Sequence, residues 1–160
     1  MTIKVGDKVP DGTLMEMGES GPQPTASSDL FGGKTVGVFA LPGAFTPTCS
    51  AKHLPGFVQN AEALKAKGVD DIACVSVNDV FVMAAWGKAQ GADGKVRMLA
   101  DGNGDFTKAL GLDFDASGFG MGQRSQRYSM IVKDGVVEEL NVEGKGAFEV
   151  SSAEHMLGQL

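Results

Sequence analysis

Cys49 is the residue of this chain whose setting most favours chemistry. It closes the segment Pro42-Gly-Ala-Phe-Thr46-Pro-Thr-Cys49. Upstream, Thr35 to Leu41 is an apolar run that predicts a short buried strand. Downstream, Leu54, Phe57, Val58, Ala61 and Leu64 recur at helical spacing. Thr46 then reads as the N-cap and Pro47 as the first helical residue. That count puts Cys49 in the first turn, among unpaired amides and at the positive end of the helix dipole. Such a position favours the thiolate, which is the nucleophilic form of cysteine. The plain alternative is a small buried residue behind a capped helix start. Two prolines and a glycine in the loop, with a hydroxyl three residues before the sulfur, favour a shaped pocket instead.

Other chemical residues are sparse. Cys74 lies in Ile72-Ala-Cys-Val-Ser-Val-Asn78, a run that fits a buried central strand and an inert core thiol. Two histidines and two scattered cysteines supply no recognisable metal-ligand set, so neither a metal nor another cofactor is expected. The Gly-rich run Ser117 to Arg124 is not a dinucleotide fingerprint, because no strand-to-helix transition surrounds it. It reads as a flexible loop that leads Arg124 and Arg127 to the sheet edge. Trp86, Met83, Met121 and Met130 read as packing residues.

The elements that must position these groups follow from pattern. Strands are expected at Thr35 to Leu41, Ile72 to Val77, Val96 to Ala100, Tyr128 to Lys133 and Val136 to Val142. Helices are expected at Thr48 to Lys67, Val80 to Gln90, Phe106 to Leu110 and Ser152 to Leu160. Gly18 to Ser28 reads as a loop, and Ser28-Asp29-Leu30-Phe31-Gly-Gly as a short helical turn with its stop. Pro55 should kink or restart the first long helix. Asp134-Gly135 between two strands is a hairpin signal. The order indicates an α/β fold: a thioredoxin-like sandwich with a central mixed β-sheet flanked by helices, as a single domain over 1–160.

The net charge of −6, with no compensating basic cluster, argues against a nucleic-acid or anionic-membrane partner. No apolar window approaches the roughly 20 residues of a membrane span. Two cysteines without a secretory signal fit a reducing compartment, and the cytoplasm is the expected location. An organelle is the alternative if a transit peptide preceded the chain.

Pro42, Thr46 and Cys49 match the Pro-x-x-x-Thr-x-x-Cys signature of peroxiredoxins, and LPGAFTPTCSAKHLPGF resembles the peroxiredoxin-5 subfamily, which includes plant type II enzymes. The similarity continues through VSVNDVFVMAAWGKA, VRMLADGNGDFTKALGL and QRYSMIVKDGVVEELNVE. The resemblance implies a thiol peroxidase that reduces hydrogen peroxide and small organic hydroperoxides, with Cys49 passing through a sulfenic acid. It also places an active-site arginine at the start of the Tyr128 strand, which makes Arg127 the choice over Arg124 and Arg97. Cys49, Thr46 and Arg127 are then the catalytic set, and Pro42 joins them in binding substrate, as a shield that keeps water from the sulfur. Phe45 is either an apolar wall of the site or a core residue.

His53, four residues after Cys49, shares its helix face. A Cys-His pair can act as nucleophile and base. A helix-start thiolate paired with arginine needs no base, so hydrogen-bonding support is the preferred role. The position of Cys74 resembles the second cysteine of plant type II enzymes. A C-terminal resolving cysteine, present in some relatives, is replaced here by Glu149-Val150-Ser151-Ser152. The reductant is therefore expected from outside, as glutathione with glutaredoxin or as thioredoxin. The resemblance also implies a homodimer, with Phe45, Phe81 and the Phe119 loop supplying apolar surface. The alternative function is a peroxide sensor or redox relay using the same cysteine. A Cys-His hydrolase is weakened by the lack of a Gly-rich oxyanion turn around Cys49 and of a carboxylate or amide partner for either histidine.

Overall fold

Thr35-Val-Gly-Val-Phe-Ala carries almost no polar side chain, and it forms the strand around which the sheet is built. In the computed structural model, which describes residues 2–160, the strands are β1 (Thr13–Gly18), β2 (Gly21–Ala26), β3 (Thr35–Ala40), β4 (Asp71–Ser76), β5 (Arg97–Ala100), β6 (Asp113–Asp115), β7 (Gln123–Ser125), β8 (Tyr128–Lys133) and β9 (Val136–Val142). The helices are α1 (Ser27–Phe31), α2 (Leu54–Gln59), α3 (Ala61–Ala66), α4 (Val80–Ala89), α5 (Asp105–Leu110) and α6 (Ala153–Gln159). Seven strands form one mixed sheet in the order β2-β1-β5-β4-β3-β8-β9, while β6 and β7 pair separately. β4 runs parallel to β3 and to β5; β8 is antiparallel to β3. This is the thioredoxin-like arrangement.

Alternation along β3 divides the core. Phe39 faces a cluster with Leu54, Phe57, Leu64, Met83, Trp86 and Met156, which also contains Cys49 and Cys74. Val36, Val38 and Ala40 face the other layer with Leu30, Phe31, Phe106, Leu110 and Tyr128. Gly37 lets α6 approach the sheet closely: a Cβ there would lie 2.9 Å from Met156 Sδ. The β8–β9 hairpin turns at Asp134 and Gly135, with φ of 47° and 79°, the left-handed pair that a tight two-residue turn requires.

Three expectations change. Gly18 to Ser28 is not a loop, because β2 pairs with β1 throughout Gly21–Ala26. Pro22 and Pro24 are tolerated since β2 is the sheet's edge strand, where a missing N–H breaks no ladder. The Gly-rich run is likewise partly regular, with a 3₁₀ turn over Ser117–Phe119 and β7 pairing with β6. The helix expected over Thr48 to Lys67 starts at Pro47, widens into a π turn over Cys49–His53, and breaks again at Asn60 between α2 and α3. Pro55 has no N–H to continue an α-helical ladder. The π turn accommodates this, with Leu54 N–H donating to Cys49 O.

Candidate active site

The chain leaves β3 at its C-terminal end and turns through Pro42–Thr46 into the helix that carries Cys49. The loop is tied at several points. Asn78 Oδ1 accepts from the Ala44 amide at 2.9 Å and from the Ser76 hydroxyl at 2.6 Å. Phe45 adopts φ of 64°, and its ring lies exposed beside Trp86 at 6.4 Å between centroids, so it is not a core residue. Ser50 N–H donates to Thr46 O at 2.9 Å and opens the helix, as the N-cap assignment requires of the backbone. The Thr46 side chain does not cap. Its hydroxyl donates back to Gly43 O at 2.6 Å, which leaves the oxygen lone pairs free to accept.

Arg127 arrives from the other side of the same sheet end. β8 is antiparallel to β3, with Tyr128 opposite Ala40, so the residue before β8 lies beside the exit of β3. Nη2 of Arg127 donates to Cys49 Sγ at 3.0 Å, and Nη1 donates to His53 Nδ1 at 2.8 Å. His53 Nε2–H in turn donates to Ser151 O at 2.9 Å. Both ring nitrogens are committed, one as acceptor and one as donor, so the imidazole is neutral. Burial and then the Arg127 charge push its pKa down to about 3. Its ring sits among Phe39, Phe57 and Phe148, with Phe39 and Phe148 each 5.0 Å away. Neither nitrogen is directed to the sulfur, which leaves hydrogen-bonding support rather than base action.

The competing arginines are engaged elsewhere. Arg97 opens β5 at the opposite end of the parallel strands, held by Glu16 at 2.8 Å and Asp71 at 3.5 Å. Arg124 donates to Met121 O at 2.9 Å and lies against Gly43, outside the contact with sulfur. Pro42 and Arg127 line a groove of about 830 Å³ with Phe114, Phe119, Met121 and Ala147. Met121 is thus a groove residue as well as a packing one. Trp86 is fully buried but not merely packed, since its Nε1–H donates to Ser50 Oγ at 3.0 Å.

Cys49 is fully buried, and its thiol is free. Pro42 and Arg127, which line the groove, stand between it and the buried sulfur. Cys74 is also fully buried and free, and burial pushes its thiol well above the ordinary value. It stays protonated and poorly nucleophilic.

The chain matches the Redoxin family model over residues 4–157. It is 53% identical to the chloroplastic Peroxiredoxin-2E of Arabidopsis thaliana over 163 residues, covering 99% of this chain and 70% of that protein. This chain belongs to the peroxiredoxins. Arabidopsis Peroxiredoxin-2B is 51% identical, with 99% of this chain and 98% of the relative covered. The crystal structure of reduced Prx3 from Vibrio vulnificus in complex with H₂O₂ superposes with a TM-score of 0.96 at 54% identity, covering 99% of each chain. The protein is a thiol-dependent peroxidase of the type II peroxiredoxin group.

Sequence reasoning missed the second layer of the site. Glu143, a buried carboxylate, accepts from the amides of Glu149, Val150 and Ser151 at 2.8–2.9 Å and from the Ser151 hydroxyl at 2.6 Å. Burial pushes its pKa up, but the Ser151 hydroxyl and the three amides outweigh this and hold it below the ordinary value. Asn78 was missed as well. Both residues lie in segments that carry the family resemblance, but nothing local marks either as part of the site, and only the fold brings them there.

Proposed function

We propose that Cys49 is the peroxidatic nucleophile, with Thr46 and Arg127 as its catalytic partners and Pro42 as the shield of the site. The observation that carries this reading is the guanidinium N–H held 3.0 Å from a sulfur at a helix start. The positive guanidinium and the first-turn amides stabilise negative charge at the sulfur and on the departing oxygen. A peroxide that reaches the sulfur donates one O–H to the free lone pairs of Thr46. The thiolate attacks the near oxygen, the O–O bond breaks, and its electron pair leaves on the far oxygen. Arg127 and the first-turn amides stabilise that developing anion, which takes up a proton and departs as water or an alcohol. Cys49 is left as a sulfenic acid.

An external thiol then attacks the sulfenic sulfur and releases water, and a second thiol cleaves the mixed disulfide. Glutathione with glutaredoxin, or thioredoxin, fits this role; hydrogen peroxide and small organic hydroperoxides are the substrates for a sulfur as enclosed as that of Cys49. The protein works as one domain over 1–160, paired as a homodimer in a reducing compartment, with the cytoplasm as the first choice. Among the described residues no helix is long and apolar enough to cross a membrane. Mass spectrometry after one equivalent of peroxide, with and without each thiol, tests the scheme. A sulfenic acid on Cys49 that becomes a mixed disulfide supports it, and oxidation first at Cys74 overturns it.

A further inference from the structure

An arginine that must stabilise a moving negative charge faces two opposed requirements. It has to be held still, and its charge has to remain available. A carboxylate paired directly with Arg127 would meet the first requirement at the expense of the second. Arg127 makes no ion pair among the described residues. Its guanidinium is held instead by the neutral His53 ring and by the face of Phe148, 5.8 Å from Cζ to the ring centroid. Both supports lead to the same loop. Phe148 belongs to it, and the Ser151 carbonyl fixes the His53 tautomer.

That loop, residues 144–151, has little regular structure. What gathers it is Glu143, whose carboxylate takes three successive amides and one hydroxyl and has no cation within ion-pairing distance among the described residues. Its charge is satisfied entirely by neutral donors, the arrangement expected of a structural anchor rather than of a counter-ion.

We propose that Glu143 is a positioning residue of the peroxidase reaction, which holds Arg127 on Cys49 through the 144–151 loop, Phe148 and His53 without neutralising the guanidinium. The inference rests on the proposed role of Arg127. Its particular content is that the Glu143 carboxylate, on a residue tied to Arg127 through the main chain (Glu143 N–H donates to Arg127 O at 2.9 Å) and not through its side chain, sets the rate of the oxidative step. A displacement of the guanidinium by about 1 Å costs up to roughly a hundredfold in rate.

The test is a double-mutant cycle on the full chain, with the rate of Cys49 oxidation by hydrogen peroxide read in single turnover. Glu143→Gln keeps the size but turns an amide group toward the loop N–H donors. We expect it to react roughly 10- to 100-fold more slowly than the parent, and to slow an Arg127→Ala background little further, because both changes remove the same stabilisation. Glu138→Gln, which removes an exposed carboxylate from β9, should leave the rate unchanged. If Glu143→Gln does not fold, Glu143→Asp, which keeps the charge and shortens the reach, replaces it in the cycle. A Glu143 variant that oxidises at the parent rate, or that slows Arg127→Ala by the same factor as the parent, overturns the proposal. An Arg127→Ala protein that oxidises as fast as the parent overturns instead the role of Arg127 on which it rests.

Discussion

Arg127 Nη1 lies 2.8 Å from His53 Nδ1, and this contact leaves the imidazole no place for a second proton. Folded His53 titrates only near 3, whereas in the unfolded chain it titrates near the ordinary 6.5. Between those values the unfolded chain binds one more proton than the folded one. Stability is therefore full above about pH 6.5 and falls as the pH drops toward 3, by up to about 1.4 kcal/mol per pH unit. The lowered pKa of Glu143 acts in the same direction further down, where its stabilisation is lost as the carboxylate protonates. Urea unfolding at pH 7 and pH 5 should show the parent losing about 2 kcal/mol more than His53→Gln. Equal losses would mean that His53 does not carry this pH dependence.

Removing the sulfur and removing its donor should have different kinetic consequences. Cys49→Ser is expected to abolish peroxide consumption. Arg127→Ala is expected to slow it by roughly a hundredfold to a thousandfold, or about 2.7 to 4 kcal/mol, the usual cost of one well-placed charge-stabilising donor. Stopped-flow measurement of the oxidative step reads both. Arg97→Ala should leave the rate near that of the parent, since Arg97 serves the Glu16 and Asp71 ion pairs at the far end of the sheet. A large loss in the Arg97 variant would reverse the assignment.

What was legible in the sequence was the part governed by local rules. The β8–β9 hairpin matches its expected bounds because apolar strands flank an Asp-Gly turn. Cys49 lands in a first helical turn because Pro47 and the apolar spacing downstream fix the helix start. β2 was hidden by Pro22 and Pro24, whose composition reads as loop and whose tolerance depends on an edge position that no local pattern reveals. The π turn expresses Pro55 meeting a helix that has to continue. His53 was legible as a support of the site from its spacing to Cys49, but its partners were not: Arg127 is 74 residues away and Ser151 is 98 residues from His53, so only packing joins them.

Homodimer formation should depend on aromatic rings that a lone chain leaves in water. Phe45, Phe81 and Phe119 are 56%, 65% and 78% exposed, far more than large apolar side chains usually are. Self-contact of one such patch is the commonest way to cover it. Sedimentation at micromolar concentration should show a dimer for the parent and a shift toward monomer for Phe119→Glu. A parent that sediments only as monomer would remove the dimer from the scheme.

Recycling should be an external event that passes through an opened helix start. Cys74 is fully buried, and its thiol pKa is pushed well up by burial, so it offers almost no thiolate to attack a sulfenic acid. Cys49 is equally buried, so the sulfur of a peptide thiol reaches it only when the helix start opens. The turn that has to move is the weakest of its helix, since it begins with unpaired amides and continues into a π turn. Ser50, next to Cys49, accepts from Trp86 Nε1–H, so opening the turn must also release the chain's single tryptophan. Cys74→Ser should therefore turn over at the parent rate with glutathione and glutaredoxin or with thioredoxin, and the mixed disulfide on Cys49 should form together with a change in Trp86 fluorescence. Loss of turnover in Cys74→Ser, with a Cys49–Cys74 bridge trapped in the parent, would replace this one-cysteine route with an internal one.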